Sequence, residues 1–179
     1  TDVNLSMFEQ IVVQDGSSFA VHDSLSDVFK GRFTTISPAA VEIHVSWDML
    51  SSQPHAVSVS ADSKAEYDYL PPAASLGNKL FLADRGYFKL SYLRDIHASG
   101  GFYTVRAKTT SNPLVAAAYT AKGKRLKRFK SVSLKKVKAH IRRSEVVDMD
   151  VENPHGYRMI ASWPKDKNEP TYWVTNLPR

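Results

Sequence analysis

Two aspartates in this chain stand where a carboxylate can serve chemistry. Asp84 follows the apolar residues 80–83, and Asp15 closes a segment that begins with the apolar residues 11–13. Each aspartate is followed within two residues by a glycine. Apolar strands that end this way deliver a side chain to the rim of a sheet, where open α/β folds bind ligands. Hard cations such as Mg²⁺ prefer oxygen ligands, so the pair predicts a divalent-metal site. The alternative is that both are only turn residues.

The positive charge of the chain is concentrated in one region. No acidic residue occurs between Asp95 and Glu145, yet thirteen of the 24 lysines and arginines lie there. Such a block is the electrostatic footprint of a polyanionic partner, most simply nucleic acid, and a solvated basic loop is the alternative. The best candidates for phosphate contacts lie close together in sequence: Lys122, Lys124, Arg125, Lys127, Arg128 and Lys130.

Three further basic residues are candidates for DNA contacts near the aspartates. Arg85 directly follows Asp84 and is predicted to contact a phosphate, with a surface or salt-bridged arginine as the alternative. Arg106 and Lys108 close the strand that follows the next helix, which is predicted to bring them nearer to the two aspartates than the other basic residues.

The composition narrows the class of protein. A chain of 179 residues fits one domain, or one domain with an insertion. The absence of cysteine excludes disulfides and thiolate metal sites. No apolar run approaches the roughly 18 to 20 residues that cross a bilayer, so we expect no membrane partner.

The order of predicted elements indicates a mixed α/β fold. The predicted strands are 8–15, 39–49, 56–60, the segment ending at Asp84, and 102–106, and the predicted helices are 22–31, 62–70 and 89–98. Residues 39–60 are expected to form an antiparallel hairpin. A strand, a hairpin, a strand, a helix and a strand follow one another in an RNase H-like core, in which the first and fourth strands carry carboxylates side by side.

The character of the chain changes after Lys108. Residues 109–144 are basic, and strands are predicted at 145–152, 157–163 and 171–175. We therefore predict two parts: an RNase H-like core over residues 1–108, and a basic, β-rich insertion subdomain over residues 109–179.

Three segments together resemble the catalytic region of bacterial cut-and-paste transposases of the insertion-sequence-four, DDE type. They are residues 14–18 (QDGSS), residues 82–88 (LADRGYF) and residues 173–178 (WVTNLP). The second segment, followed by a short helix and the strand 101–108 (GFYTVRAK), is the strongest match. In that family a basic, β-rich insertion separates the second aspartate from the last acidic residue.

The resemblance implies a function and a set of site residues. Asp15 and Asp84 correspond to the first two members of an acidic triad that binds two Mg²⁺ or Mn²⁺ ions. The third member, a glutamate, is expected on a helix shortly after residues 175–178, and the chain ends at Arg179 before such a helix. We therefore expect a transposase fragment that is inactive alone.

The resemblance also implies partners and a location. The expected partner is transposon-end DNA, which Arg106 and Lys108 are predicted to bind near the site. The family works as a homodimer in the synaptic complex, in the bacterial cytoplasm and on the nucleoid when acting.

Two other functions stay open on the sequence. A stand-alone RNase H-like nuclease would find its remaining carboxylates within the chain, for instance at Glu42, Asp48 or Glu66. A non-catalytic nucleic-acid-binding module would use the basic block and leave the aspartates as turn residues.

Overall fold

The structure is a computed structural model that describes residues 5–108, 112–153 and 155–179. The chain divides into two compact units, Thr1–Gly101 and Phe102–Arg179. The units meet after Gly101, a few residues before the domain boundary that we expect at residue 108. That boundary stays a prediction. Residues 109–111, at the start of the predicted insertion, fall outside the described residues.

The first unit is built on a mixed sheet, which confirms the α/β class. Its strands lie in the order β3-β2-β1-β4, with β2 antiparallel to both β1 and β3, and β4 parallel to β1. The strands are β1 (Ile11–Ala20), β2 (Ala40–Asp48), β3 (Gln53–Ala61) and β4 (Leu80–Ala83). The predicted hairpin is therefore present, and the first and fourth strands are neighbours.

One α-helix, α1 (Leu90–Ala98), follows β4 in the first unit. Its apolar residues Leu93 and Ile96 are buried, as expected from their spacing. The helix stops because Gly100 takes a φ of 74°, a left-handed conformation that glycine adopts at little cost. The amide of Gly100 donates to the carbonyl of His97, which satisfies one of the last carbonyls of the helix.

The other helical segments of this unit are short 3-10 turns, so the helices predicted at 22–31 and 62–70 are wrong. The turns are Leu5–Met7, Asp23–Leu25, Glu66–Tyr69, Ala73–Leu76 and Arg85–Tyr87. In the first of the two mispredicted segments, serines and aspartates have a low helix propensity, and the side chain of His22 accepts the amide of Ser24 at the start of the turn. In the second, Leu70 is extended because it precedes a proline, which leaves too few residues for a helix.

The second unit is an antiparallel sheet with two 3-10 helices. Its strands lie in the order β5-β9-β8-β7-β6. They are β5 (Phe102–Arg106), β6 (Val115–Thr120), β7 (Val146–Val151), β8 (Arg158–Ser162) and β9 (Thr171–Thr175), and the 3-10 helices are Lys127–Phe129 and Leu134–Ala139. Alternate residues of β7 and β8, including Val147, Met149 and Met159, are fully buried and form its core.

Among the described residues, no helix combines the length and the apolar character that a membrane span requires.

Candidate active site

The register of β1 and β4 brings the two candidate aspartates together. The last paired residues of these parallel strands are Gln14 and Ala83, so Asp15 and Asp84 are each the next residue on neighbouring strands. Strands paired in this way lie about 4.8 Å apart. Gln14 and Ala83 are buried, whereas both aspartates are exposed. The two carboxylates therefore leave the sheet at the same level, toward solvent.

Asp15 lies within a strand, which corrects the prediction that a turn follows it. β1 continues to Ala20 because β2 goes on pairing with it, up to the partners Ala20 and Ala40. What ends near Asp15 is the pairing with β4. The carboxylate accepts a hydrogen bond from the amide of Gly16 at 2.9 Å.

Asp84 precedes the 3-10 turn Arg85–Tyr87, as its predicted position at a strand end requires. Its carbonyl accepts the amide of Tyr87 at 3.2 Å, which closes the turn. A divalent cation fits this donor set, since two exposed carboxylates offer hard oxygen ligands. Within the described ranges no group of three or more histidine, aspartate or glutamate side chains is arranged to hold a metal. The two aspartates thus form an incomplete donor set.

A buried polar layer lies next to the aspartates, and sequence reasoning missed it. On β2 the polar residues Glu42, His44 and Ser46 are buried, while Trp47 is 40% exposed. Apolar and polar residues alternate along β2 as expected, but the polar residues are on the buried face. The same alternation could have predicted this layer if the polar face, instead of the apolar face, had been taken as the buried one.

Tyr87 and His44 are the centre of this layer. The Tyr87 hydroxyl lies 3.2 Å from Nδ1 of His44, and both residues are almost fully buried. The imidazole stacks on the ring of Tyr69, with centroids 3.9 Å apart. Its Nε2 lies 3.5 Å from the hydroxyl of Ser60. Both ring nitrogens therefore face polar groups, as a buried histidine requires.

Two glutamates border the same layer. Oε2 of Glu42 is buried without a hydrogen-bond partner and lies 3.7 Å from both Arg32 and His44. The carboxylate of Glu66 occupies the space beside Gly86, where a Cβ would lie only 1.3 Å from Oε2. Glycine at this position in the turn after Asp84 thus makes room for an acid from a distant segment.

Burial sets the charge states of the layer. It raises the pKa of the Glu42 carboxyl above its ordinary value, against the opposing charge of Arg32. It lowers the pKa of His44, and the nearby charge of Glu66 offsets only part of this effect. Burial also raises the pKa of Tyr87 to about 12, so its hydroxyl keeps its proton. The layer therefore contains a neutral histidine and a protonated tyrosine at pH 7.

The lowered pKa of His44 predicts a pH-dependent stability. The unfolded chain binds a proton at the ordinary pKa of 6.5, and the folded chain binds it only at lower pH. The stability contributed by neutral His44 is therefore complete above this value and is lost as the pH falls below it. We expect the free energy of unfolding to fall more steeply below pH 6.5 in the wild type than in His44→Gln. Denaturant unfolding at several pH values measures both slopes.

The exposed His55 of β3 supplies the matched control for this experiment. His55→Gln should keep the wild-type slope. Equal slopes in all three proteins would contradict the assignment of a buried neutral histidine at position 44.

Asp48, one of the alternative carboxylates, lies away from the two aspartates. It pairs with Val12 at the start of β1, and its carboxylate accepts the amides of Ile11 and Leu50. The hydroxyl of Ser51 donates to it at 2.7 Å, the main reason that its pKa is lowered. Asp48 therefore stabilises the strand ends.

The basic residues of the second unit differ in their surroundings. Five of the six best candidates are exposed: Lys122, Lys124, Arg125, Lys127 and Lys130. Arg128 instead forms an ion pair with Glu145 and donates from Nε to the carbonyl of His140 at 2.9 Å. Its guanidinium also lies over the ring of Phe129. These contacts hold Arg128 within the fold, and its predicted contact with DNA stays a prediction. Of the other three candidates, Arg85 is exposed and Arg106 and Lys108 are half-buried.

A shallow groove of about 250 Å³ runs beside these exposed cations. It is lined by Arg125, Lys127 and Lys130 together with Leu126 and the small residues Ala116–Ala118 of β6. Small side chains beside three cations leave room for a nucleic-acid backbone to approach. We refer to these seven residues as the basic groove.

The chain is similar in sequence to known transposases. The profile of the Transposase DDE domain matches residues 6–176. Over 107 residues, 59% of the chain, it is 23% identical to the transposase for insertion sequence element IS1151 of Clostridium perfringens, and it spans 23% of that protein.

The fold has a solved counterpart. A structure of the piggyBac transposase synaptic complex with hairpin DNA superposes with a TM-score of 0.53 at 7% identity. The match covers 96% of this chain and 34% of that one. At this identity the likeness concerns the fold alone. Because the family profile spans nearly all of the chain, the protein belongs to the Transposase DDE domain family.

Proposed function

We propose that this chain is part of the catalytic domain of a bacterial cut-and-paste transposase of the insertion-sequence-four type. The domain would have an RNase H-like core and a basic insertion subdomain, and it would cut and join DNA strands at transposon ends. The observation that carries the proposal is the parallel register of β1 and β4, which sets Asp15 and Asp84 side by side. Family membership and the likeness to the piggyBac fold support it.

Asp15 and Asp84 would hold Mg²⁺ or Mn²⁺, with two ions in the complete site. When bound, such ions stabilise the charge on the entering and leaving oxygens of an in-line phosphoryl displacement. The chain's part is to present both carboxylates from rigid neighbouring strands, so that little reorganisation is needed. A third acidic ligand, the glutamate that the resemblance implies on a helix shortly after residues 175–178, would complete the site. We expect this chain by itself not to cleave DNA, since the described residues offer no third ligand.

The proposed partner is transposon-end DNA. The basic groove, together with Lys122 and Lys124, offers five exposed cations to phosphates. Phosphate contacts of this kind supply affinity that is independent of sequence and sensitive to salt. Arg85, exposed beside Asp84, is proposed to contact a phosphate near the site, and Arg106 and Lys108 are proposed to bind transposon-end DNA. The complete protein is proposed to act as a homodimer on paired ends, in the cytoplasm at the nucleoid.

A paramagnetic titration tests the catalytic part of the proposal. Addition of Mn²⁺ to a labelled sample should broaden the NMR signals of Asp15 and Asp84 before those of other residues, because bound Mn²⁺ relaxes nearby nuclei. Mg²⁺ should compete with the effect. Broadening that begins elsewhere, for instance at Asp48, would contradict the assignment of the metal site.

A further inference from the structure

Tyr87 connects the two segments that carry the aspartates. Its amide donates to the carbonyl of Asp84, so its backbone belongs to the turn after β4. Its side chain reaches β1, where a Cβ on Gly16 would lie 2.8 Å from the hydroxyl oxygen. Only 2% of the residue is exposed. One buried side chain thus spans from the Asp84 turn to the residue after Asp15.

The hydroxyl of Tyr87 lies among polar groups of β1 and β2. It is 3.2 Å from Nδ1 of His44, within hydrogen-bond distance, and a neutral imidazole with its proton on Nε2 accepts from it there. The side chain of Gln14 opposes part of the rise in the pKa of Tyr87 that burial causes. The amide oxygen of Gln14 accepts from the hydroxyl of Ser46 on β2.

We propose that Tyr87 is a positioning residue whose buried hydroxyl fixes the spacing between the Asp15 and Asp84 carboxylates. The inference rests on the proposed function, since it concerns how these two carboxylates bind metal. Alternation along β1 places Gln14 and Gly16 on the face toward the hydroxyl and Asp15 on the other. Tyr87 therefore acts on Asp15 through the backbone of β1, and on Asp84 through its own turn.

Glycine at position 16 is part of this device. A Cβ there would lie 2.8 Å from the Tyr87 hydroxyl and 3.2 Å from both Glu42 Oε1 and His44 Nδ1. The Tyr87 hydroxyl can pack against β1 only because glycine has no side chain to fill this space. A methyl group at position 16 should displace the Tyr87 hydroxyl and so change the spacing between the two carboxylates, while the hydroxyl itself is kept.

The test is Mn²⁺ binding by the whole chain, measured from the electron paramagnetic resonance signal of the free ion. Tyr87→Phe should weaken Mn²⁺ binding about tenfold, the loss typical of residues that orient metal ligands. The matched control is Tyr92→Phe, which removes a half-buried hydroxyl that donates to the carbonyl of Pro71 at 2.7 Å. This control should bind Mn²⁺ within about twofold of the wild type. If Tyr87 were only structural, Tyr87→Phe and Tyr92→Phe would both lower the melting temperature but would bind Mn²⁺ equally well.

The outcomes separate the inference from the proposed function. If Tyr87→Phe binds Mn²⁺ as the wild type does while Asp15→Asn binds it weakly, the positioning role is overturned and the metal site stands. If Asp15→Asn also binds as the wild type does, the metal site itself is wrong.

A second variant keeps the inference open to test if Tyr87→Phe does not fold. Gly16→Ala should also weaken Mn²⁺ binding, because its methyl displaces the hydroxyl. Wild-type Mn²⁺ binding by Gly16→Ala would contradict the positioning role. Where Tyr87→Phe does fold, it should cost less in the Gly16→Ala background than alone, since the hydroxyl is already displaced, and fully additive losses would contradict a shared effect on the spacing.

Discussion

Asp15→Asn and Asp84→Asn are each expected to abolish the stabilisation of this chain by Mn²⁺. An asparagine keeps the shape of the side chain but offers one neutral oxygen in place of a carboxylate. At a concentration about 100 times the dissociation constant, a ligand stabilises the folded state by about 2.7 kcal/mol. For a chain of this size, that corresponds to a rise in melting temperature of roughly 5 to 10 °C. A hundredfold loss of affinity would leave about 0.4 kcal/mol, a shift of about 1 °C.

The matched control is Asp95→Asn on α1. Asp95 is exposed and forms an ion pair with its neighbour Arg94 at 3.1 Å. The substitution therefore removes the same charge from the same unit as Asp15→Asn or Asp84→Asn does. This variant should keep the full Mn²⁺-dependent rise. Thermal denaturation with and without Mn²⁺ gives all of these shifts.

Two results would count against the site. If both asparagine variants keep the wild-type shift, Mn²⁺ binds elsewhere, and the acids of the polar layer, Glu42 and Glu66, become the next candidates. If only one of the two variants loses the shift, the aspartates do not share an ion, and their neighbouring positions have another purpose.

The placement of these aspartates was within reach of the sequence. An apolar run that ends in an aspartate predicts the strand end observed before Asp84, whereas at Asp15 the same pattern locates the strand but not its end. The expected order of strands then made the first and fourth strands neighbours, as the structure has them. The α-helix at Leu90–Ala98 and four strands of the second unit (β5, β7, β8 and β9) were equally accessible, because their local patterns agree with the final fold. The strand β6 (Val115–Thr120) was not predicted.

The extension of β1 beyond Asp15 was not accessible in this way. Gly16 and the serines after it read locally as a turn, but the partner strand β2 continues to Ala40 and keeps them extended. Tertiary pairing here overrides local preference. Segment 22–31 was predicted wrongly for a local reason: its few apolar residues suggested a helix, but its serines and aspartates have a low helix propensity.

The polar layer could not be predicted because alternation does not say which face is buried. In β2 the residues that look like a core are the more exposed ones, and Val57 and Val59 of β3 are exposed beside them, at 59% and 58%. His44 faces inward because Tyr87 and Ser60 face its ring nitrogens and Tyr69 stacks on its ring, and all three are distant in sequence. Only the folded chain reveals those partners.

The internal role of Arg128 was hidden for the same reason. In the sequence it is one of six similar cations, yet in the fold Glu145 and the carbonyl of His140 take up its guanidinium. Its exposed neighbours Lys127 and Lys130 keep their charges toward solvent. A charge block in a sequence therefore locates a surface but does not say which of its members belong to it.

Replacement of Lys127 and Lys130 together by alanine is expected to weaken DNA binding roughly 10- to 100-fold at low salt. Each phosphate that a cation neutralises changes the slope of log affinity against log salt by about 0.9 on duplex DNA, so the variant's slope should be shallower by about two. The loss should be similar for DNA of unrelated sequences, because phosphate contacts carry no base information. Binding of a labelled duplex across a salt series measures both the affinity and the slope.

The matched control is the pair Lys165 and Lys167, which are exposed in the same unit outside the basic groove. Their replacement by alanine removes the same net charge. If affinity follows the overall field of the protein, both double variants will lose equally. If it follows contacts in the basic groove, only Lys127→Ala with Lys130→Ala will flatten the salt dependence.

Adding Arg128→Ala to the Lys127→Ala, Lys130→Ala variant should lower its stability, since Glu145 then lacks its ion-pair partner. The slope of log affinity against log salt should change little. A further loss of slope at Arg128 would show that its guanidinium leaves Glu145 for DNA, and would return it to the contact surface.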